Sequence, residues 1–129
     1  MPSLDTNCLL RWVLGDVPEQ TKLITDLISS TDNFAVADAA LIETVYVLEK
    51  LKKISRELIS KTMMVIIGKD NILSSKELFI EILPLYRDHP KLSIVDCYLE
   101  VLARNTGTTP LFTFDEKLAN QLSGTQLLL

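Results

Sequence analysis

Four carboxylates, Asp5, Glu43, Asp96 and Asp115, stand where side chains could do chemistry. Asp5 closes the short apolar segment Ser3 to Asp5, and Asp115 follows Leu111 to Phe114. A residue just after a strand of a parallel sheet projects from the edge where ligands bind in open α/β folds. Each acid also has a plainer explanation. Asp is among the best residues for accepting the free amides of a helix's first turn, and Ser93-Ile94-Val95-Asp96 has the spacing of a capping box. Glu43 is harder to explain that way. On a helix its neighbours three and four residues away are Ala39, Ala40, Tyr46 and Val47, which puts the carboxylate on a buried stripe, where unpaired charge costs several kcal/mol. A salt bridge to an arginine is the structural alternative.

If the four acids converge, each pair repels by about 4 kcal/mol at ~4 Å and an effective dielectric near 20, a conflict that a bound cation removes. Oxygen-only ligands favour magnesium or manganese over zinc, and no His or Cys set competes. The single His89 lies in a polar Arg87-Asp88-His89-Pro90 turn, and Cys8 and Cys97 are too few for a thiolate site and read as core thiols. Magnesium held by carboxylates keeps several waters and suits phosphate chemistry. Seventeen acidic against thirteen basic residues give a net charge of −4, and the four nominated acids equal that excess. With no run of basic residues, a broad electropositive surface for nucleic acid is not indicated.

The elements that must position these acids alternate along the chain. Strand-like segments occur at Ser3 to Asp5, Phe34 to Ala37, Ile72 to Leu73, Leu111 to Phe114 and Gln126 to Leu129. Helix-period stretches separate most of them, which implies a parallel sheet covered on both faces. Pro18 opens a helix to about Ser29, with Leu23, Ile24, Leu27 and Ile28 on its buried stripe. Asp38 caps the next, to about Lys52; Ser55 caps a third, ending at Gly68 in a left-handed turn. Ser74 and Glu77 have capping-box spacing before a helix to about Asp88, in which Pro84 predicts a kink or early end. Ser93 precedes a helix from Ile94 to about Asn105, followed by Gly107, and Asp115 starts a short one from Glu116 to Leu122. The 129 residues suit one continuous domain, 1–129, with no repeat or linker. No apolar run is long enough to span a bilayer, and the amino terminus is unlike a secretory signal, so an intracellular, cytoplasmic setting is expected.

These stretches together resemble the PIN-domain ribonucleases, in particular the VapC-type toxins of toxin–antitoxin pairs. Leu4-Asp5-Thr6-Asn7-Cys8-Leu9-Leu10-Arg11-Trp12 is similar to the family's opening strand, first acid and helix, and Gly15-Asp16-Val17-Pro18-Glu19-Gln20 to the turn after it. Glu43-Thr44-Val45-Tyr46-Val47-Leu48-Glu49 resembles the helix of the second acid. Ile94-Val95-Asp96-Cys97 with Leu102-Ala103 resembles that of the third, and Phe112-Thr113-Phe114-Asp115 the strand end of the fourth. Cys97 stands where the family frequently has alanine. The resemblance implies a three-layer α/β/α sandwich around a central parallel five-stranded sheet, and magnesium-dependent endonucleolytic cleavage of RNA. It implies Asp5 and Asp96 as principal metal ligands, Glu43 and Asp115 completing the acidic pocket with Asp115 also near the metal, and Asn7 and Thr113 holding ligands or water. It further implies a homodimer and a cognate antitoxin that occludes the pocket.

Arg11, Arg104 and Lys117 adjoin the proposed edge and are candidates for RNA phosphates, with pairing to Asp16, Glu100 or Glu116 as the alternative. Trp12 and Tyr46 can stack on bases, or serve as core or dimer contacts. A non-catalytic adaptor and a DNA-directed nuclease of the same fold remain open readings. A phosphotransfer receiver domain is disfavoured, because Asp5 is followed by Thr6 and Asn7 rather than a second acid.

Overall fold

A computed structural model describes residues Met1–Leu129, which divide into two compact units, Met1–Lys76 and Glu77–Leu129. In the first unit, helices α1 (Thr6–Leu14), α2 (Pro18–Ile28), α3 (Asp38–Tyr46) and α4 (Arg56–Ile67) accompany the parallel strands β1 (Phe34–Ala35) and β2 (Ile72–Leu73). Ser3 bridges to Ala35 in parallel, the amide of Leu4 donating to the Ala35 carbonyl at 2.9 Å, so the chain enters α1 from a strand-like segment beside β1. In the second unit, α5 (Lys76–Asp88), which begins at the junction, is followed by α6 (Ile94–Asn105), β3 (Leu111–Thr113), α7 (Glu116–Gln121) and β4 (Thr125–Leu127), with β3 and β4 paired in parallel.

Every expected strand position pairs, yet the expected five-stranded sheet is not formed. Two two-stranded parallel sheets and one isolated bridge stand in its place. The paired stretches are two or three residues long, enough for only a few ladder bonds, so helices carry most of the fold. No helix is long and apolar enough to cross a membrane.

Helix starts follow their local chemistry. Pro18 occupies the first turn of α2, where its missing amide costs nothing. The Ser55 hydroxyl accepts from the Leu58 amide at 3.2 Å at the start of α4. Helix α3 passes into a π-helical turn over Val47–Leu51, so the stretch from Asp38 is helical nearly as far as expected, though its cap is Ala37 and Asp38 is already in the helix. Two details differ from expectation. Gly68 ends α4 at φ −79°, outside the left-handed region that Gly107 does adopt at φ +68°. Ser74 forms no capping box, and its hydroxyl is buried without a partner. Helix α5 reaches Asp88 as expected, with Pro84 inside it rather than at its end.

In the first unit, Leu9, Leu41, Val45, Leu48, Ile59 and Met63 are fully buried. On α2 only Ile24 and Ile28 of the expected stripe are buried, leaving Leu23 and Leu27 exposed. In the second unit Phe79, Ile82, Leu83, Tyr86, Cys97 and Val101 form the core, with Phe79 and Tyr98 rings 6.0 Å apart. Cys97 is thus a core thiol as expected, whereas Cys8 is half-buried.

Candidate functional site

Asp5 is placed by the bridge at Ser3 and by α1, whose first turn it caps. Its extended backbone, φ −89° and ψ 177°, turns the side chain back so that Oδ1 accepts the Cys8 amide at 2.9 Å. That bond holds the carboxyl below its usual value of 3.8. Burial, with the neighbouring Asp5 carboxylate, raises the Cys8 thiol. The lowered value has a sign for stability. A carboxyl easier to ionise when folded contributes fully above its unfolded value and loses that contribution as pH falls through the folded one. Thermal melts of wild type and Asp5→Asn are therefore expected to differ near neutrality and to converge only at acid pH below the lowered folded value, where Asp5 is protonated in both states.

Glu43 lies on α3, whose buried face is Leu41, Thr44, Val45 and, one turn on, Leu48. This i, i+3, i+4, i+7 stripe packs inward and turns Glu43 to solvent, together with Ala39 and Tyr46. The expectation of a buried carboxylate is corrected on this point: alanine and tyrosine neighbours are compatible with an open surface. No arginine pairs with Glu43.

Although distant in sequence, Asp5 and Glu43 line one pocket of about 380 Å³, with Ser3, Thr6, Ala37 and Ala40 among its walls. No basic side chain lines it. The small alanines, which the sequence shows but whose meaning as open space it does not, leave both carboxylates uncovered. On its other side Asp5 borders a pocket of about 330 Å³ with Asn7, Cys8 and Arg11. Arg11 reaches this wall while its guanidinium donates to Asp16 at 2.8 Å.

In the second unit, Asp96 forms the expected capping box: its Oδ2 accepts the Ser93 amide and the Ser93 hydroxyl accepts the Asp96 amide, each at 3.0 Å. Asp115 caps α7, its Oδ1 accepting from the amides of Lys117 at 2.9 Å and Leu118 at 3.4 Å. The Thr113 hydroxyl accepts the Asp115 amide at 2.9 Å, fixing the turn from β3 into α7. Arg104 donates to Glu100 and to Glu81, each at 2.8 Å, so its charge is already matched. The Lys117 side chain is exposed and forms no ion pair.

The structure therefore brings two of the four expected acids, Asp5 and Glu43, to one pocket, and no group of three or more His, Cys, Asp or Glu is assembled to hold a metal. The donor chemistry of that pair nonetheless fits a small hard cation. Two carboxylates without a basic neighbour offer only oxygen, and magnesium needs just one or two protein carboxylates because it retains much of its water.

Residues 3–121 match the model of the PIN domain. No curated protein and no solved structure matches the chain. PIN domains are usually metal-dependent nucleases, typically using divalent metals and acting on nucleic acid. The matched span takes in all four acids and both strand-to-helix turns from which Asp5 and Asp115 project, and by it the chain belongs to the PIN domain family.

Proposed function

We propose that the chain is a magnesium- or manganese-dependent endoribonuclease, the toxin component of a toxin–antitoxin pair. The observation that supports this most directly is the shared pocket of Asp5 and Glu43, two uncovered acids with no cation of the protein's own beside them. Asp5, Asp96 and Asp115 are the proposed metal ligands, and Glu43 completes the acidic set. When bound, the ion supplies positive charge to a phosphoryl oxygen and eases ionisation of a bound water.

The chain's own residues have separable tasks in this reading. The amide of Cys8 holds Asp5 ionised and fixed at one oxygen. Glu43, without an ion-pair partner, is available to accept a proton from water at its carboxylate. Thr113 holds the turn that carries Asp115, and Asn7, exposed beside Asp5, is placed to hydrogen-bond a ligand or water. Lys117 is the proposed cation for an RNA phosphate. Arg11 and Arg104 would reach phosphate only by exchanging their acidic partners. A homodimer, a cognate antitoxin covering the acidic pocket and a cytoplasmic setting belong to the same proposal.

The test is incubation of pure protein with structured RNAs and single-stranded DNA in millimolar magnesium or manganese. RNA cleavage abolished by chelator is the expected result, and magnesium is expected to raise the melting temperature by preferential binding to the folded state. Cleavage of DNA alone would make it a DNA nuclease. Failure to cut any nucleic acid, with no thermal shift, would leave the adaptor reading.

A further inference from the structure

At the far end of α1 from Asp5 the surface changes character. Trp12 and Val13 face a pocket of about 450 Å³ whose other walls include Lys61, Val65 and Lys69 from α4 and the turn after it. No acidic residue lines it, in a chain with a net charge of −4. The Lys69 ammonium sits 5.6 Å from the centre of the Trp12 ring, and neither Lys61 nor Lys69 forms a salt bridge. An adjoining pocket of about 370 Å³ shares Trp12 and Lys69 and adds Asp70 and Asn71.

We propose that the Trp12, Lys61 and Lys69 pocket is a second binding site, for a phosphate and its attached base on a single strand of nucleic acid. The two ammonium groups form no salt bridge, with Asp70 lining only the adjoining pocket, and suit a phosphate. The indole and the exposed Val65 give the apolar wall that a base requires. Single-stranded nucleic acid is held by this combination of cationic groups and aromatic faces, with stacking worth about 1–3 kcal/mol per base. The choice of nucleic acid over another aromatic anion rests on the nuclease reading above. Geometry links the two sites. Trp12 lies two helical turns after Asp5, on the same side of α1 and roughly 10 Å along its axis at 1.5 Å per residue. A strand laid along α1 would thus be gripped at one end and meet the acids at the other.

Trp12 is the sole tryptophan, so its emission reports the surroundings of this one residue, and the lysine variants tie a change to this pocket. Full-length Asp5→Asn protein is titrated with a short oligouridylate, with adenosine monophosphate and with inorganic phosphate. A saturable emission change with the oligonucleotide is expected, tighter than with inorganic phosphate. Lys61→Gln with Lys69→Gln is expected to weaken binding at least tenfold and to lower the salt slope by about 0.7, the single-strand value for one lost phosphate, while Lys61→Arg with Lys69→Arg retains both. An unmoved emission, unchanged affinity in the glutamine variant, or equal affinity for inorganic phosphate overturns the proposal. Two further outcomes separate it from the nuclease reading. RNA cleavage with an unchanged KM in the glutamine variant removes the second site and leaves the nuclease. Lysine-dependent oligonucleotide binding in a protein that cuts nothing does the reverse.

Discussion

Asp5→Asn is expected to abolish RNA cleavage, because it removes the charge of a proposed metal ligand, while α1 stays folded. The separation of the two effects follows from the cap. Asn accepts first-turn amides about as well as Asp, so the bond from the Cys8 amide persists when the charge is gone. Asp5→Ala removes both and is expected to cost about 1 kcal/mol of stability as well. Cleavage assays beside circular dichroism melts distinguish the cases. Full activity in Asp5→Asn would remove Asp5 from the mechanism, and loss of the fold in that variant would show that the cap depends on the charge.

The largest expected effect on stability lies at Glu100, which is 1% exposed. Its Oε2 accepts from Arg104 at 2.8 Å and from the Gly124 amide at 3.0 Å, while Oε1 is buried without a partner. Hydrogen bonding to Glu100 is also the main reason that the Arg104 guanidinium holds its proton more tightly than usual. Arg104→Met leaves this carboxylate unpaired and is expected to cost about 3 kcal/mol, the lower end for a broken buried pair because Arg104 is partly exposed. That corresponds to a fall in Tm on the order of 10 °C. Adding Glu100→Leu is expected to restore part of the loss, since the buried charge goes with its partner while the Gly124 amide loses its acceptor. Gly124→Ala attacks the same point, because its Cβ would stand 2.6 Å from Glu100 Oε2 and 3.0 Å from Arg104 Cγ. A single variant as stable as wild type would show that water reaches Glu100.

Local signals in the sequence are legible where one residue satisfies one backbone group. Pro18, Ser55, Ser93, Asp5 and Asp115 each mark a helix start, and the structure shows why. Signals that depend on a distant partner are less legible. The five strand positions were legible, but a two-residue strand such as Ile72–Leu73 does not encode how many neighbours it will have. Glu43 failed for a related reason. Its apolar neighbours can border either a core or an open pocket, and only the packing of Leu41, Val45 and Leu48 decides which face turns inward. The family pattern leads one to expect all four acids in one pocket; Asp5 and Glu43 line a common one. For Asp96 and Asp115 the structure supplies local roles, Asp96 closing the capping box of Ser93 and Asp115 capping α7.

The capping bonds have a thermodynamic consequence for any ion these acids take up. Asp5, Asp96 and Asp115 each have one oxygen tied to a backbone amide, so their rotamers are chosen before a ligand arrives. Glu43 alone is untethered, and an ordered rotamer-rich side chain loses about 0.5–1.5 kcal/mol of freedom on binding. In the proposed metal site the entropic resistance to loading is therefore concentrated in one glutamate on α3.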